Sequence, residues 1–180
     1  MKQYRVFLTG EPGCGKTTAI RRTCEILTTH GKKVGGIVSG EIRERGIRVG
    51  FSLEDLATRE TGTLAHVDLK EGPGVGKYRV NLADIQRIGV SAIRRAIAES
   101  DVIIVDDLGP MELNSMPFIL NVEMALATPK PFVGTIHKRA SHYLVGAIKS
   151  NRAYEILELT AENRNDIPKT IVERIEAEMD

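Results

Sequence analysis

Five short apolar runs alternate along the chain with five longer segments whose apolar residues recur every three or four positions. The runs at 4–9, 34–39, 101–106, 131–137 and 153–159 have strand length and are bounded by glycine or polar residues, which predicts buried strands. Residues 15–30 predict a helix, with Ile20, Cys24 and Leu27 on one face and Gly31 as its stop. A second helix is predicted at 81–99, where Ile85, Ile88, Ile93 and Ile97 share a face and Asn81 and Asp84 suit the N-terminus. A third is predicted at 115–127, with Pro117 in its first turn. Shorter helices follow at 141–149 and 167–179. Strands alternating with helices imply an α/β fold of three layers, its mainly parallel sheet covered on both faces.

One stretch changes period. Ile47, Val49, Phe51 and Leu53 alternate with Arg48, Gly50 and Ser52, and Glu44-Arg45-Gly46 precedes them as a turn. Residues 41–53 therefore predict a hairpin with one solvated face. Strand-like pieces and a glycine loop, GPGVGK at 72–77, carry the pattern to residue 80. The expectation is a strand-rich insertion at 41–80 inside a single domain spanning 1–180, a length that suits one core.

Composition narrows the class. Apolar residues are 42% and charged residues 27%, an ordinary balance, and a net charge of +1 leaves no footprint for nucleic acid or a membrane surface. With no Trp and 4% aromatics, the core must rest on Ile, Val and Leu. Cys14 and Cys24 form no CxxC or Cys/His cluster, which argues against a disulfide framework or a zinc site. No apolar run reaches membrane length, and the first is too short for a signal-peptide core. A cytoplasmic monomer with no membrane partner is expected.

The chemistry starts after the first strand. Gly10-Glu11-Pro12-Gly13-Cys14-Gly15-Lys16-Thr17 matches GxxxxGK[ST] and opens an amphipathic helix. In such a loop the glycines bring backbone N–H groups to phosphates, and the helix aims its positive end at the same anion. Lys16 would reach the β- and γ-phosphates, the Thr17 hydroxyl would ligate Mg²⁺, and Thr18 would touch the α-phosphate. Cys14 reads as a small loop residue.

A second acidic site follows the run VIIV. Asp106 at the end of this strand would complete the Mg²⁺ site, and Asp107 would orient and deprotonate an attacking water. Glu112, five residues on, is a reserve candidate for that base because Asp107 is short.

GEPGCGKTT, GKYRVNL at 76–82, VIIVDDLGPMEL at 102–113 and GTIHKR at 134–139 occur in this order. Together they resemble the THEP-type, or cancer-related, P-loop nucleoside triphosphatases over nearly the whole chain. The resemblance implies a RecA-like P-loop fold with an added strand between the two phosphate-motif strands. It implies Mg²⁺-dependent hydrolysis of ATP, GTP, CTP, UTP and TTP with little choice of base. The family's nucleotide-contacting segments map onto Gly10 to Thr17 and onto Val102, Ile103, Ile104, Val105, Asp106, Asp107, Leu108 and Gly109. The family commonly has Asp-Glu where this chain has Asp106-Asp107, so Asp107 and Glu112 both stay candidates for the base.

Weaker signals accompany these. Thr135 and His137 could sense the γ-phosphate, and Lys138, Arg139, Arg152 or Arg164 could supply a transition-state cation. The loop at 72–77 lacks Ser or Thr after Lys77, so it is not a second phosphate loop but a possible substrate-edge lid. Residues 124–154 hold no acid and several bases, a patch that could face phosphate or RNA, although no stacking aromatics support nucleic acid. Two other functions share the loop: a small nucleotide or nucleoside kinase, and a nucleotide-switched RNA- or protein-binding module. A water-activating acid and the lack of an arginine-rich lid favour hydrolysis.

Overall fold

The computed structural model describes residues 4–179. The five apolar runs become parallel strands: β1 (Arg5–Thr9), β2 (Val34–Glu44), β7 (Val102–Leu108), β8 (Phe132–Ile136) and β9 (Glu155–Glu158). They stand in the order β2-β7-β8-β1-β9, so β8 separates the strand before the phosphate loop from the strand that carries the acids. This is the added strand that the resemblance implies.

The expected insertion joins the same sheet. β3 (Ile47–Asp55), β4 (Thr61–His66), β6 (Tyr78–Val80) and β5 (Gly74–Val75) extend it beyond β2 by antiparallel pairing, giving nine strands among the described residues. The first hairpin strand is no separate element. β2 runs on to Glu44, well past the expected end at residue 39, because β3 offers its backbone a partner as far as Ile47. The even alternation expected at 47–53 is also broken. The pairing shifts between Ile42 and Arg43 and again between Phe51 and Ser52, and Ile47 is 63% exposed because the hairpin tip projects past the core. The glycine loop at 72–77 is itself an edge hairpin, β5 with β6.

Alternate residues of the parallel strands feed two cores. Val6 and Leu8 of β1 and Ile104 of β7 face Ile20 and Leu27 of α1 (Lys16–Thr29) and Ile171 and Ile175 of α6 (Ile167–Met179). Phe7, Ile103 and Val105 face the other layer: Ile93 of α3 (Ser91–Glu99), Phe118 and Val122 of α4 (Met116–Ala127), and Leu144 and Ile148 of α5 (Tyr143–Ser150).

The helix expected at 81–99 contains an irregularity that its sequence explains. Ile88 and Ile93 are five residues apart, a step that regular α-helical spacing would rotate off the buried face. After α2 (Leu82–Asp84), capped by the Asn81 side chain, the chain forms a π turn at Ile85–Val90 before α3 begins. Ile85, Ile88 and Ile93 are all buried as a result.

Arg5 is a charge where a strand-core residue was expected, and it is 1% exposed. It donates to the carbonyls of Leu126, Thr128 and Lys130, at the C-terminal end of α4 and the turn into β8. A cation there satisfies carbonyls that the helix leaves unpaired and complements its dipole.

Candidate functional site

The loop between β1 and α1 is built for an anion. Gly15, at φ 104°, is the N-cap of α1 in the left-handed region, which glycine adopts without penalty. No side chain caps this helix start and no acid occupies its first turn, so the N–H groups and the dipole meet solvent. The loop holds its curl alone: Cys14 N donates to the Glu11 carbonyl at 3.1 Å. Lys16 Nζ donates to the carbonyls of Gly10 at 3.1 Å and Glu11 at 3.2 Å. Glu11, Pro12, Gly13 and Thr18 are exposed along the loop's rim.

Asp106 faces this loop across β8. Its Oδ2 accepts from Thr17 Oγ1 at 2.9 Å and from Ser39 Oγ at 3.3 Å, and its Oδ1 accepts from Thr135 Oγ1 at 2.6 Å. Asp106 is 1% exposed and Thr135 fully buried. A carboxylate beside a hydroxyl is a donor set for a hard divalent cation that keeps waters and takes phosphate oxygens as its remaining ligands. Thr17 and Asp106, the residues expected to hold a metal, offer such a donor set.

Asp107 and Glu112 form the second half of the site. Thr135 Oγ1 is 2.9 Å from Asp107 Oδ1. Burial, reinforced by the neighbouring Asp106 charge, pushes the Asp107 carboxyl up to about 7. Glu112 sits in a single 3₁₀ turn (Glu112–Asn114), 4% exposed. Burial, and then the charge of Asp107, holds its carboxyl well above the ordinary range. The two acids converge over Gly109. A Cβ there would lie 2.9 Å from Asp107 Oδ2 and 3.2 Å from Glu112 Oε2, so only glycine leaves room for both. Glu112, the reserve candidate, thus lies inside the site.

A cleft of about 620 Å³ joins these parts. Lys16, Thr17, Asp106, Asp107 and Glu112 line it, and Phe51, Leu64, Val75 and Met111 add apolar surface. Val75 comes from the 72–77 hairpin, so that loop does edge the cleft.

Several expectations change. Val102, Ile103, Ile104, Val105 and Leu108 are fully buried, so of the segment 102–109 only Asp106, Asp107 and Gly109 line the cleft. Thr135, at the end of β8, is fully buried and links two carboxyls. His137 lines the cleft, and burial, with the Lys16 charge second, lowers its pKa and keeps it neutral. Lys138 is held by Glu11 at 2.7 Å and by Glu158 at 3.4 Å, outside the loop. The basic patch is partly spent on structure: Lys130 Nζ donates to the carbonyls of Ala96 and Ile97, and the His142 side chain caps α5. Arg139 and Arg152 are exposed.

Sequence reasoning missed Ser39, Glu41 and Arg48. Ser39 had a readable signal, a polar residue at the expected C-terminal end of a buried parallel strand, where open α/β sheets place their ligands. Glu41 and Arg48, paired at 3.0 Å on the cleft wall, had none, because their approach depends on the β2–β3 register.

The family model described as NTPase matches residues 5–172. The nucleoside-triphosphatase THEP1 of Methanosarcina acetivorans is 43% identical over 94% of this chain and 95% of its own length. That of Thermofilum pendens is 43% identical over 97% of both chains. The crystal structure of THEP1 from the hyperthermophile Aquifex aeolicus superposes with a TM-score of 0.84 at 30% identity, covering 96% of this chain and 99% of that one. The solution structure of a human cancer-related nucleoside triphosphatase gives 0.82 at 35% identity, over 97% and 98%.

Proposed function

Because this chain belongs to the NTPase family and is a nucleoside-triphosphatase, we propose that it cleaves the β–γ anhydride with Mg²⁺ and accepts ATP, GTP, CTP, UTP and TTP alike. The observation that carries the reading is that Asp106, Asp107 and Glu112 line the same cleft as Lys16 and Thr17 at the uncapped N-terminus of α1.

In this reading the loop from Gly10 to Thr17 wraps the β- and γ-phosphates, and Lys16 leaves its own carbonyls for them. Thr17 and Asp106 hold the metal, which when bound neutralises charge on the phosphate oxygens. Water attacks the γ-phosphorus while the bond to the bridging oxygen breaks, and the water's proton passes to Asp107. A carboxyl at about 7 is well matched to that task near neutral pH. Glu112, buried deeper, keeps its proton and holds Asp107 in place.

Lys16→Ala tests the core of this. Phosphate release from each nucleotide should vanish and nucleotide affinity should fall sharply, and near-normal turnover would overturn the assignment. A nucleotide panel with and without Mg²⁺ tests the metal and the base range; a preference of about 1000-fold for one base, roughly 4 kcal/mol, would defeat the latter.

A second reading, transfer of the γ-phosphoryl to a small alcohol, is favoured by one feature. The apolar lining of Phe51, Leu64, Val75 and Met111 offers more surface than an attacking water uses. Phosphate release with no acceptor present separates the two. The setting that goes with the hydrolase reading is a cytoplasmic monomer of one domain. Two free cysteines, Cys24 buried and Cys14 half-buried, suit a reducing compartment, and no helix among the described residues is long and apolar enough to cross a membrane.

A further inference from the structure

The strand order divides the surroundings of the phosphate loop. β7, with Asp106 and Asp107, lies on one side of β1 beyond β8, and β9 lies on the other. A triphosphate whose γ end meets Asp107 therefore points its base towards the β9 side, over the turn at 159–166. That turn packs directly on the loop. The Leu159 carbonyl oxygen is 2.8 Å from where a Cβ on Gly10 would stand, and Arg164 Cδ is 3.8 Å from the same point on Gly15.

We infer that Arg164 is the platform on which the nucleotide's base stacks, adding affinity without reading which base is present. This rests on the nucleotide reading of the phosphate loop. Three observations carry it beyond proximity. The turn is fixed: Thr160 N donates to Asn163 Oδ1 at 2.8 Å, Asn163 Nδ2 to the Glu158 carbonyl at 2.8 Å, and Arg164 N to the Thr160 carbonyl at 3.1 Å. The Arg164 side chain is exposed and engages no hydrogen bond or ion pair among the described residues, whereas Lys138, the other cation near this end of the loop, is held by Glu11 and Glu158. Finally, the guanidinium is the side chain suited to the task. It is planar, delocalised and weakly hydrated, so it stacks on the π face that every base presents while leaving the edges, where bases differ, in water. The same placement removes Arg164 from the list of transition-state cations, since it lies at the wrong end of the triphosphate.

The test is calorimetric binding of ADP, GDP, CDP, UDP and pyrophosphate to the wild-type chain, Arg164→Ala and Arg164→Lys, with Mg²⁺ present. Arg164→Ala should bind all four nucleoside diphosphates roughly 5- to 100-fold more weakly, the range expected for losing one base–side-chain stack. Pyrophosphate should bind as it does to the wild-type chain, which also reports an intact fold. Arg164→Lys keeps the charge but not the plane, so it should resemble the alanine variant. An equal loss for pyrophosphate would make Arg164 a phosphate ligand and overturn the inference. So would unchanged affinities, or a loss confined to one base. Because the readout is affinity for diphosphates, it is independent of turnover. Failure of the wild-type chain to hydrolyse would sink the hydrolase reading alone.

Discussion

The hydroxyl of Thr135 lies 2.9 Å from Oδ1 of Asp107. The same hydroxyl is 2.6 Å from Asp106, and it has only one proton to give. Donated to Asp107, that proton favours its carboxylate form; donated to the nearer Asp106, it leaves Asp107 without that support. The shared contact therefore couples Asp106, the proposed metal ligand, to the protonation of Asp107, the proposed base.

Thr135→Val keeps the shape and removes the link. Turnover should fall by about tenfold or more, a fraction of the worth of a positioned base. The hydrogen bond from Thr135 lowers the Asp107 pKa, so its loss should move the acid limb of the kcat profile to higher pH. Thr135→Ser should restore both. A pH–rate profile of the three proteins decides; a Val variant with an unshifted limb would show that Thr135 is packing only.

The three acids should fail differently. Asp106→Asn should weaken Mg²⁺ binding and recover part of its rate in excess Mg²⁺. Asp107→Asn should bind nucleotide and Mg²⁺ normally yet lose roughly 10²–10⁴-fold in single-turnover rate. Glu112→Gln, a group that stays protonated in this account, should be much milder. A dead Glu112→Gln beside a nearly normal Asp107→Asn would transfer the base to Glu112.

Stability should depend on pH through the same buried carboxyl. Asp107 titrates at about 7 in the folded chain against an ordinary 3.8, so between those values the folded state binds the extra proton. Its contribution is fully present below 3.8 and is lost as pH rises through 7. Asp107→Asn cannot ionise and should escape this loss. Urea unfolding without nucleotide should find the variant more stable than the wild type at pH 8, with the gap closing towards pH 4. A gap of constant size would refute the linkage.

Gly109→Ala probes how closely Asp107 and Glu112 converge. Its Cβ would enter between their oxygens, so the carboxyls must move apart. Turnover should drop far more than nucleotide affinity, while the buried strand that precedes the site keeps the fold. Normal single-turnover rates would show that the acids need not share that space.

Much of this was readable in the residues. The alternation of apolar runs and helical faces located every parallel strand, and the spacing of Gly10, Gly15, Lys16 and Thr17 located the loop, because both are local patterns. Asp106 was readable for the same reason, as a charge ending a run of four apolar residues. What stayed hidden depends on register and burial. Glu112 could not be placed until the 3₁₀ turn brought it beside Gly109. Thr135 gave a polar signal, but only the neighbouring position of β7 and β8 shows that it touches two acids. Arg5 lies in the expected buried strand, but nothing in β1 announces the carbonyls at the end of α4 to which it donates.

The resting posture of Lys16 bears on how the site would fill and empty. Its ammonium donates to the carbonyls of Gly10 and Glu11, so an internal cation ties the loop to itself. Entry of a phosphate is then an exchange of partners and not an ordering of chain, and the loop loses little entropy when it binds. The gain comes from charge, which reaches a polyanion through several water layers and quickens encounter at low ionic strength. In the proposed reading departure runs the exchange backwards, the two carbonyls taking back the lysine as the phosphate leaves.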